Sequence, residues 1–358
     1  LRRQRQMCIR DRAKIAALLR DVPAHLLPAD QQANALGAII NEAVGDHVGT
    51  PYVVAGPYLA SLELASGRLE RGSSNADDLG PLRSVCYVEI SGIPSLAIGG
   101  QRGVEVPDFN MRRTIDAASE RGVNSIAYHE PTRRLVATHG EIGLLTWNAF
   151  GDSGAPEVFT VPPNPRNLLT IDERILFSAG NQLCVFDGQA VRTISGESAS
   201  PILRILRVGE RIVVVRESGR IESIDHNTLT VASAFDRSDP IASACEVFVG
   251  GLQLLAIANR STNTIDLVTL GGEGVSQFRS PPGPPRMLAS CGRHLIGVSP
   301  DRASLFVWNL AQPGNPAQHV GVLASLGHRA ADIVGNNGVT QKQTIIARSR
   351  AHHKVSAT

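Results

Sequence analysis

The chain has 358 residues, 42% hydrophobic but only 4% aromatic, with a formal net charge of +2. That apolar content can fill a core, and the scarcity of rings leaves Val, Ile, Leu and Ala to build it. A charge so near zero makes nucleic acid an unexpected partner, and no stretch approaches the ~18 apolar residues of a membrane span.

Leu1–Arg12 (LRRQRQMCIRDR) resembles translated sequencing-adapter read-through, and otherwise reads as a basic disordered arm. It is set apart from the fold. Over 13–47 the pattern is helical. Ile15, Leu18 and Leu19 share one face of a short helix that stops near Pro23. Leu36, Ile39, Ile40, Ala43, Val44 and His47 then recur at i, i+3, i+4 spacing. A competing assignment makes Leu36–Asn41 a strand.

From 48 to 350 strands take over. Three are expected within 52–71, and four each within 84–115, 125–161, 167–194, 203–235, 243–278 and 287–320. Strands at 331–334 and 344–348 open a further unit, and 351–358 is a tail. Asp-Gly at 187–188 and Arg-Glu-Ser-Gly at 216–219 mark hairpins, and the Pro-rich stretches 162–165 and 281–285 separate whole units.

The repeat of about forty residues, four strands to a unit, is the signature of a β-propeller. The unfinished last unit supplies inner strands for the incomplete first one, so the two ends close a single ring. The expected fold is therefore all-β, one seven-bladed propeller with a short N-terminal helical segment. With Leu36–Asn41 as an inner strand the ring would have eight blades.

Degenerate motifs accompany the period. Trp147-Asn148 and Trp308-Asn309 end third strands, with Phe186-Asp187 and Ile224-Asp225 as weaker echoes. Gly327-His328 precedes an inner strand, and Leu-Arg-Ser-Val at 82–85 is followed by Ile-Gly-Gly-Gln-Arg-Gly at 98–103. In these residues the chain resembles the WD40-repeat family over roughly 50–350. Most blades lack the family's Gly-His and Trp-Asp. The resemblance implies a non-catalytic protein-interaction platform, of a kind often fused in bacteria to signalling or ATPase domains.

The cysteines Cys8, Cys86, Cys184, Cys245 and Cys291 are odd in number and widely spaced. The last four fall in or beside expected inner strands, where a free thiol acts as a small apolar group; this points to a reducing, cytoplasmic compartment. No metal or other cofactor is expected. His129 and His139 flank a hairpin and could approach, but no third ligand is spaced to complete a site. Gly-Asp-Ser-Gly at 151–154 echoes a protease nucleophile yet sits in a polar linker, and reads as a turn. Phosphate-cradling Gly motifs are absent. A propeller hydrolase or lactonase is the enzymatic alternative, with Glu89, Glu141, Glu217 and Asp301 as its acids, but these fall at different phases of the repeat.

Arginine is the best phase marker. Arg83, Arg166, Arg204, Arg286 and Arg329 each stand at the mouth of a first strand, with Asn124 and Ala242 at that position in two other blades. Five arginines on one face, near the central channel, would form a broken ring able to receive an acidic segment of a protein partner. Alternatively each clamps its blade to a neighbour. A phosphate- or nucleic-acid-binding role for the same residues is the weakest option, given the net charge.

Overall fold

The structure is a computed structural model. It describes residues 50–335, apart from 65–67, 73–75, 116–120, 152–153, 196–199, 250–251, 281–282, 313–314, 316 and 323–329. The segments 1–12 and 13–47, Arg329, Gly327-His328, the strand at 344–348 and the tail lie outside the described residues.

The described residues from Thr50 onward form one compact unit. β1 (Tyr52–Ala55), β2 (Tyr58–Glu63) and β3 (Arg68–Gly72) come first. Blade 1 holds β4 (Leu82–Ile90), β5 (Ile93–Gly100), β6 (Gly103–Val106) and β7 (Met111–Thr114). Blade 2 holds β8 (Val123–His129), β9 (Arg134–His139), β10 (Gly143–Asn148) and β11 (Glu157–Phe159). Blade 3 holds β12 (Pro165–Ile171), β13 (Arg174–Ala179), β14 (Gln182–Phe186) and β15 (Val191–Ser195). Blade 4 holds β16 (Ile202–Val208), β17 (Arg211–Arg216), β18 (Arg220–Ile224) and β19 (Val231–Asp236). Blade 5 holds β20 (Ile241–Val249), β21 (Leu252–Asn259), β22 (Thr264–Val268) and β23 (Gly274–Arg279). Blade 6 holds β24 (Met287–Cys291), β25 (His294–Val298), β26 (Ser304–Asn309) and β27 (Gln318–Val322), and β28 (Ala330–Val334) follows.

These strands make seven four-stranded antiparallel sheets. The seventh, the closing blade, has the order β28-β1-β2-β3. Consecutive first strands touch in the sequence β4, β8, β12, β16, β20, β24, β28 and back to β4, so the ring is closed. Seven blades and end-to-end closure agree with the sequence reading. Among the described residues the closing blade takes one strand from the C-terminal side, β28, and β1 pairs directly with it, Tyr52 opposite Val334. A three-stranded meander needs only one more strand to match its neighbours.

Second strands lie between blades on both faces, which is why they read as unbroken apolar runs rather than as alternation. In β17, Ile212 and Val214 pack toward blade 3 while Val213 and Val215 pack toward blade 5. Seven apolar clusters result, one at each junction of neighbouring blades. Each blade is thus half of two cores, and a blade alone would leave both faces wet.

Trp147 on β10 and Trp308 on β26 are third-strand residues packed into such junctions, 3% and 1% exposed. The Trp308 indole Nε1–H donates to Arg279 O of blade 5 at 3.0 Å. Its ring is admitted by Gly297, where a Cβ would stand 2.8 Å from Cζ3.

Turns follow their side-chain chemistry. Asp187 Oδ1 accepts from the N–H groups of Gln189 and Ala190, and Asp225 Oδ1 from those of Asn227 and Thr228. These bonds to the charged form hold both carboxyls below their ordinary pKa.

Candidate functional site

Most first strands begin with a defect. In six of the seven sheets the register of that strand slips near its start, at Arg83, Asn124, Asn167-Leu168, Leu203, Ala242 and Ala331. A bulge leaves one residue out of the ladder and re-aims its side chain. All six of these positions, with Asn167 representing its pair, line one cavity at this end of the ring. In blade 6 the strand starts later, and the Arg286 and Met287 at its mouth line the same cavity.

The bulges are held by bonds to the next blade. Ser84 Oγ donates to Val123 O at 2.9 Å, and Asn124 Nδ2 to Pro165 O at 3.1 Å. Asn167 Nδ2 donates to Leu203 O at 3.1 Å, and Ser243 Oγ to Pro285 O at 2.7 Å. Each bond gives a backbone carbonyl of the next blade a side-chain donor.

The cavity measures about 830 Å³. Arg83, Arg166, Arg204 and Arg286 line it, as their shared phase implies, whereas Arg329 is outside the described residues. Three further arginines join them: Arg121 before β8, and Arg260 and Arg302 in the turns after β21 and β25. The sequence reading followed only the entry to the first strand. An antiparallel second strand returns to the same end, so residues just past it reach the same rim. That second phase was the signal for Arg260, and for the lining residues Gly140 and Glu217.

Seven arginines therefore face one acid, Glu217, across this lining. Arg83, Arg121, Arg260 and Arg286 are exposed, and Arg166, Arg204 and Arg302 half-buried. Arg121 bonds Asn164 Oδ1 at 2.8 Å and lies 3.8 Å from Glu141, both groups being wet enough for solvent to weaken the pair. Arg204 reaches Asn167 Oδ1 at 3.5 Å, and Arg260 reaches Ile241 O at 3.5 Å, both at the limit of a hydrogen bond. Among the described residues, Arg166, Arg204, Arg260 and Arg286 make no ion pair with a carboxylate, and the Arg166 Nε is buried with no hydrogen-bond partner. Two unit charges about 10 Å apart in water repel by only about 0.4 kcal/mol, so the ring can carry this crowd while it stays hydrated.

Buried or half-buried blade-to-blade clamps by arginine are made by Arg113, Arg216 and Arg237, which do not line the cavity. Arg113 of blade 1 donates to Asn148 O, Ala149 O and Gly151 O of blade 2, and is 6% exposed. Arg216 of blade 4, 2% exposed, donates to Asn181 O and Ser200 O on the blade 3 side and to Glu222 Oε2. Arg237 pairs with Asp266 of blade 5.

The other sequence candidates do not gather. His129 and His139 lie at opposite ends of their hairpin, since His129 stands opposite Arg134 and His139 opposite Val123. Antiparallel pairing forbids the approach that their spacing allowed. His129 is a core residue with Nδ1 2.7 Å from Thr132 Oγ1 and Nε2 2.8 Å from Glu173 O. His139 accepts from the N–H groups of Glu141 and Ile142, and burial lowers its pKa. Among the described residues no cluster of His, Cys, Asp or Glu is arranged to hold a metal ion. Of Glu89, Glu141, Glu217 and Asp301, only Glu217 lines the cavity. Cys184 lies on a third strand, β14, rather than an inner one. The Gly-Asp-Ser-Gly segment is only partly described, Asp152 and Ser153 falling outside.

Comparison with known proteins gives fold alone. No protein-family model matches the chain, and no curated protein matches it. Among solved structures, the computationally designed Ika8 protein is similar, with a TM-score of 0.52 and 11% identity over 77% of this chain and 84% of its own. BBS1N, solved in complex with ARL6DN, gives a TM-score of 0.48 and 15% identity over 68% of this chain and 80% of its own.

Proposed function

We propose that this chain is a WD40-like, non-catalytic interaction platform that receives an acidic segment of a protein partner at the arginine-lined mouth of its channel. The observation that carries this is the lining itself: seven arginines against one glutamate, with Arg166, Arg204, Arg260 and Arg286 in no ion pair among the described residues. Charge-assisted bonds from such forks are worth roughly 1.5–3 kcal/mol each once desolvated, so two or three suffice for a specific contact. Trp147-Asn148 and Trp308-Asn309 at the ends of third strands support the WD40 likeness. Cys86, Cys184, Cys245 and Cys291 are free thiols, which fits a reducing compartment such as the cytoplasm.

The test is fluorescence anisotropy of a labelled Asp/Glu-rich peptide with the full chain. Binding should weaken with added salt and on Arg166→Ala or Arg286→Ala, because screening and loss of a fork act on the same contacts. Binding that ignores both salt and these substitutions, or no binding at all, refutes the docking reading.

A further inference from the structure

The seven lining arginines, offset by one glutamate, carry more positive charge than the +2 of the whole chain, so the rest of the molecule is net acidic. A near-neutral total thus conceals a strongly cationic concavity, where a phosphate meets the local charge rather than the global one. A cavity of about 830 Å³ falls in the size range of small-molecule sites, roughly 300–1,000 Å³. Its apolar lining is limited to Leu203, Ala242, Pro284, Met287, Pro300 and Ala331, with no aromatic residue among them. Peptide docking usually draws on aromatic or large apolar anchors. Here the attraction must come from charge-assisted hydrogen bonds.

Those bonds favour one kind of anion. A carboxylate brings one charge and two oxygens, whereas a phosphate group brings about −1.5 to −2 and three acceptor oxygens in a similar space. Arg forks match phosphate oxygens two at a time. Linked phosphates would satisfy several forks at once without a peptide backbone to house. We infer that the cavity binds a small oligophosphate, an anion of two or more linked phosphate groups held by the arginine ring. The inference uses the same cavity as the docking reading but does not depend on that reading's partner.

The experiment is thermal denaturation and titration calorimetry of the full chain in chloride buffer. Inorganic triphosphate, inorganic phosphate and the Asp/Glu-rich peptide are compared at matched ionic strength. Triphosphate at one hundred times its dissociation constant should raise the midpoint by about 4–5 °C, with single phosphate at the same concentration far less effective. Arg166→Gln/Arg286→Gln should abolish the shift. Arg192→Gln, an exposed outer-strand residue, should leave it intact. If the double variant does not fold, Arg260→Gln, in an exposed turn, should weaken triphosphate binding several-fold.

A shift from triphosphate no larger than that from chloride overturns the inference, as does one unchanged by the arginine substitutions. Peptide binding without triphosphate binding leaves the platform reading standing and removes this one. Triphosphate binding without peptide binding does the reverse.

Discussion

Trp308 joins blades 5 and 6, and replacing it with alanine tests the junction architecture as a whole. The ring is 1% exposed, and a buried aromatic removes about 150–250 Å² from water. At about 25 cal/mol per Å² that amounts to about 4–6 kcal/mol, less what the alanine methyl retains. Loss of the Nε1–H bond to Arg279 O adds about 1 kcal/mol. Together with measured large-to-small series, this puts Trp308→Ala at about 4–5 kcal/mol. Gly297→Ala probes the same contact from the other side. Its Cβ would meet Trp308 Cζ3 at 2.8 Å, Cη2 at 3.0 Å and Pro285 Cβ at 3.2 Å, an overpacking worth about 1–3 kcal/mol. In the alanine background most of that clash disappears and the added methyl fills space. The two changes should therefore couple favourably by at least about 1 kcal/mol. Urea denaturation followed by far-ultraviolet circular dichroism measures this; tryptophan fluorescence is unsuitable, since the chain has only two tryptophans. If Gly297→Ala costs the same with and without the indole, the ring is not seated against β25 and the reasoning fails.

Arg216→Met should destabilise the protein by about 3 kcal/mol by stranding the buried Glu222, at the low end for a broken buried pair because Arg220 still reaches that carboxylate at 3.0 Å. Arg216→Met/Glu222→Leu should recover part of the loss in thermal denaturation, the carbonyls of Asn181 and Ser200 still lacking their donor, and a double variant worse than the single one would contradict the pairing. Burial lowers the pKa of His139, so the fold prefers its neutral ring. Its contribution is complete above about pH 6.5 and declines as the pH falls toward the folded value, because the unfolded chain takes up the proton first. His139→Asn should thus narrow the difference in stability between pH 7 and pH 5.5, and an unchanged difference would refute the assignment. Deleting the chain from Ala330 onward removes β28 and uncovers β1. Dye binding to exposed apolar surface and aggregation on size exclusion are the expected outcomes, and a monomer with an unchanged melting point would show that closure contributes little.

The ring was legible because second strands buried on both faces leave long apolar runs, and because loops between blades carry Pro, Gly and Asp at steady intervals. The cavity was legible in part. Arg83 and Arg286 stand where the period placed them, but Arg166 comes one residue before its bulge and Arg204 one after, an offset that no periodicity reveals. Arg121 and Arg302 come from loops of irregular length, so they carry no phase at all. Whether an arginine clamps or lines was equally hidden. Arg113 on a fourth strand and Arg216 at the end of a second strand clamp because carbonyls of the neighbouring blade lie within reach of their forks, which the local sequence does not show.

The bulges separate two kinds of information. A residue held out of the ladder contributes little to strand pairing, and Arg83, Asn124, Leu203, Ala242 and Ala331 occupy equivalent places with unrelated side chains. The blades are specified by the apolar runs and by the Ser and Asn latches, Asn124 among them, whereas Leu203, Ala242 and Ala331 carry no side-chain polar atom that could latch. Side chains at those three positions can therefore change one at a time without loss of a latch. The same property makes these three positions natural handles for redesign, fixed in space by the ring beneath them.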